Sequence, residues 1–436
     1  MTPRPDYVST RGSGVPVTLS EAIARGLAPD GGLYVPQRLP ALDAAGFAGR
    51  SSLPELARHA LAGFFDGDRL QHELGAIADA ALDFPAPTTR VEGSADPLFA
   101  LELFHGPTAA FKDFGARFLA ESLQRLEARS STPLTILVAT SGDTGGAVAA
   151  AFHRRPWVRV VILYPRGLVS PRQEQQLTCW GDNVRSLRVD GTFDDCQRMV
   201  KEAFVDANLA RRHRFSSANS INIGRLLPQM VYYVASSLEI QRSTGQKASF
   251  IIPAGNLGNA FAAVWARALG LPIDRIILAH NRNRTVPDFL QTGEWRPRAS
   301  IATLASAMDV GNPSNMERLR SLYPDVDGLR AQLGADSVDD AAISARIRED
   351  YAQFGRIWCP HTATAAEVHR RLPQPQRRER PWVLVATAHP AKFNEIVEPL
   401  IGRSVEVPAA LAQLLRLPQH CRDVAPTLDS LAAALE

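Results

Sequence analysis

The chain has 436 residues, above the size at which a single core stops growing, so two or three domains are expected. Lys plus Arg number 48 against 45 Asp plus Glu, a formal net charge of +3 without a long basic block, which offers no footing for a nucleic-acid or membrane partner. Cys179, Cys196, Cys359 and Cys421 lie far apart with no CxxC or paired Cys/His spacing. That argues against a zinc site or a disulfide framework and fits a reducing cytoplasm.

In chain order, MTPRPDYVSTRG at residues 1–12 has no apolar h-region, and no later run approaches the roughly 20 apolar residues of a membrane span. Thr18 to Glu21, TLSE, has the spacing of a capping box and opens a short helix that stops near PDGG at 29–32. Residues 53–82 carry helical periodicity, closed by Pro85 and Pro87, and a domain boundary is expected near residue 95. Short β-branched runs then alternate with helices: LTILVA at 134–139, VRVVILY at 158–164, VRSLRV at 184–189, SFIIP at 249–253, RIILAH at 275–280 and WVLVAT at 382–387. Such alternation predicts parallel sheets covered on both faces, an α/β fold. One intervening helix carries the stripe Cys196, Met199, Val200, Ala203 and Phe204. The stretch 209–248 reads as helical without a strand, 310–350 as a helical insertion, and PQPQRRERP at 373–381 as a charged surface turn. The expected domains are 1–95, a first α/β lobe over 96–245 and a second over 246–436.

Ligands in open parallel sheets bind beyond the carboxyl ends of strands, so the loops there carry the functional reading. LTILVA runs into TSGDTGG at 140–146 and a small-residue helix, a place for an anion such as a carboxylate. A tight turn capped by Ser141, Asp143 or Thr144 accounts for the same residues. SFIIP runs into AGNLGN at 254–259 and a helix ending near Gly270, which together make a phosphate cradle. It is neither a Walker loop nor a GxGxxG fingerprint. Tyr164, Pro165 and Arg166 stand where a ribose-binding acid belongs, which disfavours a nicotinamide cofactor and leaves only a small opening for a 2′-phosphate. WVLVAT places Thr387 at a strand end with His389 behind it, and with no GxSxG elbow a serine hydrolase built on Ser141 and His389 has weak support.

HGPTAAFKDFG at 105–115 sets Lys112 between Phe111 and Phe114. A lysine so placed either snorkels to water or pairs with Asp113, or it is desolvated, with its pKa lowered. A neutral amine attacks an aldehyde. Together with a phosphate cradle and a carboxylate loop, that points to an amino-acid enzyme using pyridoxal phosphate.

YVSTRG at 7–12, GLAPDGGLYVP at 26–36, HGPTAAFKDFG at 105–115, ATSGDTGGA at 139–147, NSINIGRLLPQ at 219–229, PAGNLGN at 253–259, AMDVGNPSN at 307–315, PHTAT at 360–364 and ATAHPAKF at 386–393 follow one another as in a known family. The chain resembles the threonine synthases, fold-type II pyridoxal 5'-phosphate enzymes. The resemblance implies a tryptophan synthase β-like fold of two parallel-sheet α/β lobes with a small N-terminal domain. It implies conversion of O-phospho-L-homoserine and water to L-threonine and phosphate, without metal, in a cytoplasmic monomer or homodimer. It makes Lys112 the Schiff-base lysine and proton carrier. Gly255, Asn256, Leu257 and Asn259 would hold the cofactor phosphate, and Thr387 would meet the pyridine nitrogen. Ser141, Gly142, Asp143 and Thr144 would take the substrate carboxylate, and Asn219, Ser220 and Arg225 the substrate phosphate. Leu257, Ala110 and Cys359 replace a phenylalanine, a leucine and an aspartate common in the family. A related phospho-lyase or dehydratase releasing a 2-oxo acid, or a cofactor-free binding relative, are the alternatives.

Overall fold

The structure, a computed structural model, describes residues 6–127 and 132–436. The first five residues of the leading segment and residues 128–131 lie outside that description. The expected capping box is present: Glu21 N donates to Thr18 Oγ1 (3.1 Å) and Thr18 N to Glu21 Oε2 (2.9 Å), opening the helix Leu19–Arg25. The next apolar stretch forms two helices, Leu53–Phe65 and Leu74–Ala81, whose buried stripes pack into the main core.

Two sheets organise the remainder. In one, five strands run parallel in the order Arg422–Val424, Val184–Val189, Val158–Pro165, Leu134–Ala139, Arg214–Ser217. In the other, the order is Gly334–Ser337, Ile273–His280, Ala248–Pro253, Trp382–Ala386, Leu98–Glu102, with Thr88–Arg90 as an antiparallel edge. Every residue of Leu134–Ala139, Ala248–Pro253 and Trp382–Ala386 is buried, which explains why these runs are apolar but for Thr135 and Ser249. Strand alternation sorts the side chains: Ile136, Val138, Val160 and Ile162 join the core of Val148 and Phe152, whereas Leu137, Val161 and Leu163 meet Cys196 and Met199.

All six expected strands form, but others were hidden. The stretch expected to be helical over 209–248 contains Arg214–Ser217, whose polar RFSS has no strand signature and is held by pairing with Leu134–Leu137. The helical insertion holds helices Met316–Leu322, Val326–Gln332 and Asp340–Phe354, yet Gly334–Ser337 between them adds an edge strand. The charged turn at 373–381 includes the short helix Gln374–Arg378. Sheet membership does not follow chain order, because Leu98–Glu102 pairs with Trp382–Ala386 and Arg422–Val424 returns to Leu187–Val189.

Candidate active site

The carboxyl ends of Leu98–Glu102, Leu134–Ala139, Arg214–Ser217, Ala248–Pro253 and Trp382–Ala386 feed loops into one cleft of about 690 Å³ between the two sheets. Of the residues singled out from sequence, Lys112, Ser141, Asp143, Thr144, Asn219, Ser220, Arg225, Gly255, Asn256, Leu257, Asn259 and Thr387 line it. Gly142 does not. Its φ of 134° and a virtual Cβ only 2.6 Å from Gln173 Cδ show that it makes the turn rather than the wall.

Lys112 begins the helix Lys112–Glu127 and is half-buried. The preceding turn is fixed from several sides. Phe111 N donates to the Thr387 carbonyl at 2.8 Å and His389 N to the Ala109 carbonyl at 3.0 Å. The carboxylate of Asp113 accepts from Thr108 N (2.9 Å) and Thr108 Oγ1 (2.6 Å). Asp113 is therefore a buried brace of the turn, neither solvent-facing nor the partner of Lys112, and burial raises its pKa. Of the two expected phenyl walls only one stands. The Lys112 ammonium lies 4.6 Å from the centroid of Phe111, while Phe114 packs into the core against Phe84 and Tyr232. Burial, then the charge of Arg225, brings the Lys112 amine down to about 8, with Lys392 acting in the same direction and Asp143 against it.

The loop after Leu134–Ala139 is capped by a residue outside the expected set. Thr140 Oγ1 accepts from Gly142 N (3.0 Å) and Gly145 N (2.9 Å). Ser141 and Thr144 stay half-exposed at the cleft, at the N-terminus of the helix Asp143–Phe152. Asp143 differs from expectation, since its carboxylate is buried on Lys392 Nζ (2.8 Å) and Gln173 Nε2 (3.0 Å), and these partners hold its pKa down against burial. A carboxylate so engaged offers an incoming anion only its main-chain amide.

In the cradle, Leu257 takes the left-handed conformation (φ 64°) immediately before the helix Gly258–Ala268. A Cβ at Gly255 would lie 2.9 Å from Met308 Cα, so this position has no room for a side chain. Asn256 braces loops, donating to Ser220 Oγ (2.8 Å) and accepting from Ser314 N (2.5 Å). Asn259 Oδ1 accepts from Tyr232 (2.5 Å) and Tyr233 (2.8 Å), whereas its buried Nδ2 has no partner among the described residues. An orphan amide donor, an N-terminal helix turn and a left-handed entry suit a phosphate group.

Arg225 is fully buried, and burial brings it down to about 10. Its guanidinium donates to the carbonyls of Ala218 and, at 3.4 Å, Lys112. No carboxylate is bonded to it among the described residues, and Asp113 acts on it only through space, so it brings positive charge to the cleft even though its fork is already partly engaged. Asn219 Nδ2 likewise donates to the Ala139 carbonyl (3.1 Å). Thr387 is buried at the cleft near Lys112. His389 belongs elsewhere: its Nδ1 accepts from Ala391 N (3.2 Å), its ring packs on Phe104, and Ser141 is not its partner, which removes the hydrolase pairing.

Residues the sequence left without roles also reach the site. His361 lines the cleft, accepts from Ala307 N (3.1 Å) and is held near 4 by burial, hence neutral at physiological pH. Asn315 Nδ2 donates to the Asn256 carbonyl (2.9 Å). Their motifs, PHTAT, NPSN and PAKF, were visible, but nothing in their spacing announced which side chain turns inward.

Residues 83–388 match the family of pyridoxal-phosphate dependent enzymes, 6–82 the threonine synthase N terminus, and 362–434 the threonine synthase C-terminal family. The chain is 41% identical to the threonine synthase of Escherichia coli (strain K12) over 404 residues, covering 92% of each. Among solved structures, threonine synthase from Escherichia coli superposes with a TM-score of 0.88 at 37% identity, covering 99% of both chains. The PLP-bound threonine synthase from Brucella melitensis gives 0.89 at 33% identity, covering 99% of this chain and 98% of that one.

Proposed function

The chain belongs to the threonine synthase family of pyridoxal phosphate enzymes, and from that premise we propose that it converts O-phospho-L-homoserine and water to L-threonine and phosphate. The observation that carries this reading at the site is the Lys112 amine, lowered to about 8 and set beside a cradle with an orphan Asn259 donor. Pyridoxal phosphate, when bound, supplies an aldehyde for a lysine amine and an electron sink for the carbanions of β- and γ-carbon chemistry.

The residues divide the remaining tasks. The loop Gly255 to Asn259 would hold the cofactor phosphate through main-chain amides and Asn259 Nδ2, with Asn256 bracing that loop against Ser220 and Ser314. The Thr387 hydroxyl would meet the pyridine nitrogen, a neutral partner that does not impose a proton on the ring. Ser141, Thr144 and the amides at the helix N-terminus take the substrate carboxylate, with Gly142 shaping the turn. Asn219, Ser220 and Arg225 supply donors and positive charge for the substrate phosphate. Lys112, once free, accepts the Cα proton and is placed for the later transfers at Cβ and Cγ. A cytoplasmic setting suits four cysteines that are all unpaired.

The test is product analysis. Protein supplied with O-phospho-L-homoserine and cofactor should release threonine and phosphate in equal amounts, and Lys112→Ala should lose the visible cofactor absorbance and about 10³-fold or more of the activity. Release of 2-oxobutyrate without threonine would overturn the proposal.

A further inference from the structure

Lys392 is a lysine with no exposed surface, in the short helical segment Pro390–Phe393. Its ammonium donates to Asp143 Oδ1 and to the Thr108 carbonyl, both at 2.8 Å. Gln173 Nε2 reaches the same Asp143 oxygen at 3.0 Å, and Gln176 Nε2 the same Thr108 carbonyl at 3.0 Å. The Lys392 carbonyl in turn accepts from Ser170 Oγ (3.1 Å). One side chain thus ties together the turn that carries Lys112, the loop of Ser141 and Thr144, and the segment that follows Thr387.

We propose that Lys392 is a positioning residue: its ion pair with Asp143 locks these three loops in register and withholds the Asp143 carboxylate from the Lys112 amine. Four groups act on or feel that amine. Arg225 and Lys392 disfavour its charge, Asp143 favours it, and neutral His361 faces it from the helix Pro360–Arg371. Asp113, adjacent in the chain, is bound to Thr108. Among the described residues Asp143 is the carboxylate that acts on the amine, and its ammonium partner is Lys392. With Lys392 neutralised, the buried Asp143 charge would turn its field on Lys112, keep that amine protonated and draw it from its working position. With Asp143 neutralised, Lys392 would be the unbalanced charge and would press the amine the other way. The pair is far inside the fold, so solvent and salt screen neither effect strongly.

The activity arm of the test rests on the function proposed above; the titration arm does not. Cofactor-free Lys392→Met, Asp143→Asn and the double variant are acylated with trace acetic anhydride across pH, and labelling of Lys112 is read by peptide mass. Lys392→Met should raise the half-titration of Lys112 by about one pH unit and Asp143→Asn should lower it, with the double variant returning near the parent. After cofactor is restored, both single variants should lose about 30-fold in kcat with little change in KM, and the double variant should stay low because the bridge to Thr108 is gone. A purely structural role would lower thermal stability while leaving the midpoints unmoved. Midpoints that stay put, or that move the same way in both single variants, overturn the proposal. If Lys392→Met does not fold, the direction of the Asp143→Asn shift alone decides. If the parent makes no threonine, the functional reading falls while the titration still decides the role of the pair.

Discussion

Lys112 shows what a single residue contributes and what it costs. The amine titrates near 10.5 in an unconstrained chain and near 8 in the fold, chiefly because burial penalises its charge. Between these values the unfolded chain binds a proton that the folded chain does not, so the Lys112 contribution to stability rises with pH through that window. Below about 8 both states are protonated and the full penalty stands, about 3 kcal/mol on the scale of about 1.36 kcal/mol per unit. Cofactor-free Lys112→Met should therefore be more stable than the parent at pH 7, by a margin that shrinks as pH approaches 10. Thermal unfolding at a series of pH values checks this, and a pH-independent margin would contradict it. The residue is a site where stability is given up for a reactive amine.

Among the elements, the cradle between Ala248–Pro253 and Gly258–Ala268 is the most exacting. Leu257 accepts a left-handed backbone that disfavours any side chain by roughly 1–2 kcal/mol, and its buried side chain offsets that strain. Gly255 sits against the main chain of Met308, where a methyl group has no flexible neighbour to displace. Gly255→Ala should push the 307–315 loop outward and loosen the grip of Ser314 N on Asn256. Cofactor affinity, titrated by absorbance, should fall about tenfold or more, equivalent to roughly 1.4 kcal/mol, while Lys112 keeps its environment. Unchanged affinity would mean that the loop accommodates the methyl without moving.

For the whole molecule, Arg318 joins the leading segment to the site. Fully buried, it donates to the carbonyls of Tyr34 (3.1 and 3.2 Å), Ser220 (3.2 Å) and Ile221 (2.7 Å) and to Asn315 Oδ1 (2.6 Å). Burial lowers it to about 9, so the guanidinium itself is costly. Arg318→Met would relieve that charge but leave four oxygens without this donor, at about 1–3 kcal/mol each. The second effect should win by about 3 kcal/mol, seen as a lower thermal midpoint. Cofactor binding should weaken with it, because Asn315 and Ser220 both hold Asn256. A variant of parental stability would show that the leading segment is docked by its apolar contacts alone.

Much of this protein could be read from its residues because the signals were local. Short runs rich in β-branched and large apolar side chains marked six strands, glycines marked the turns beyond them, and HGPTAAFKDFG marked the reactive lysine. Each depends on neighbours within a few positions, where periodicity and backbone sterics act. Arg214–Ser217 and Gly334–Ser337 depended on distant partners for their hydrogen bonds, so their short polar sequences carried no sign of being strands. The partner of Asp143 was hidden for the same reason. Asp113 belongs to Thr108 in its own turn, but Asp143 is claimed by Lys392, almost 250 positions away in the chain. Sequence determined the chemistry available and the loops that present it; only tertiary structure decided which charges are neutralised in the interior, because electrostatics there depends on distance through space and on the exclusion of water.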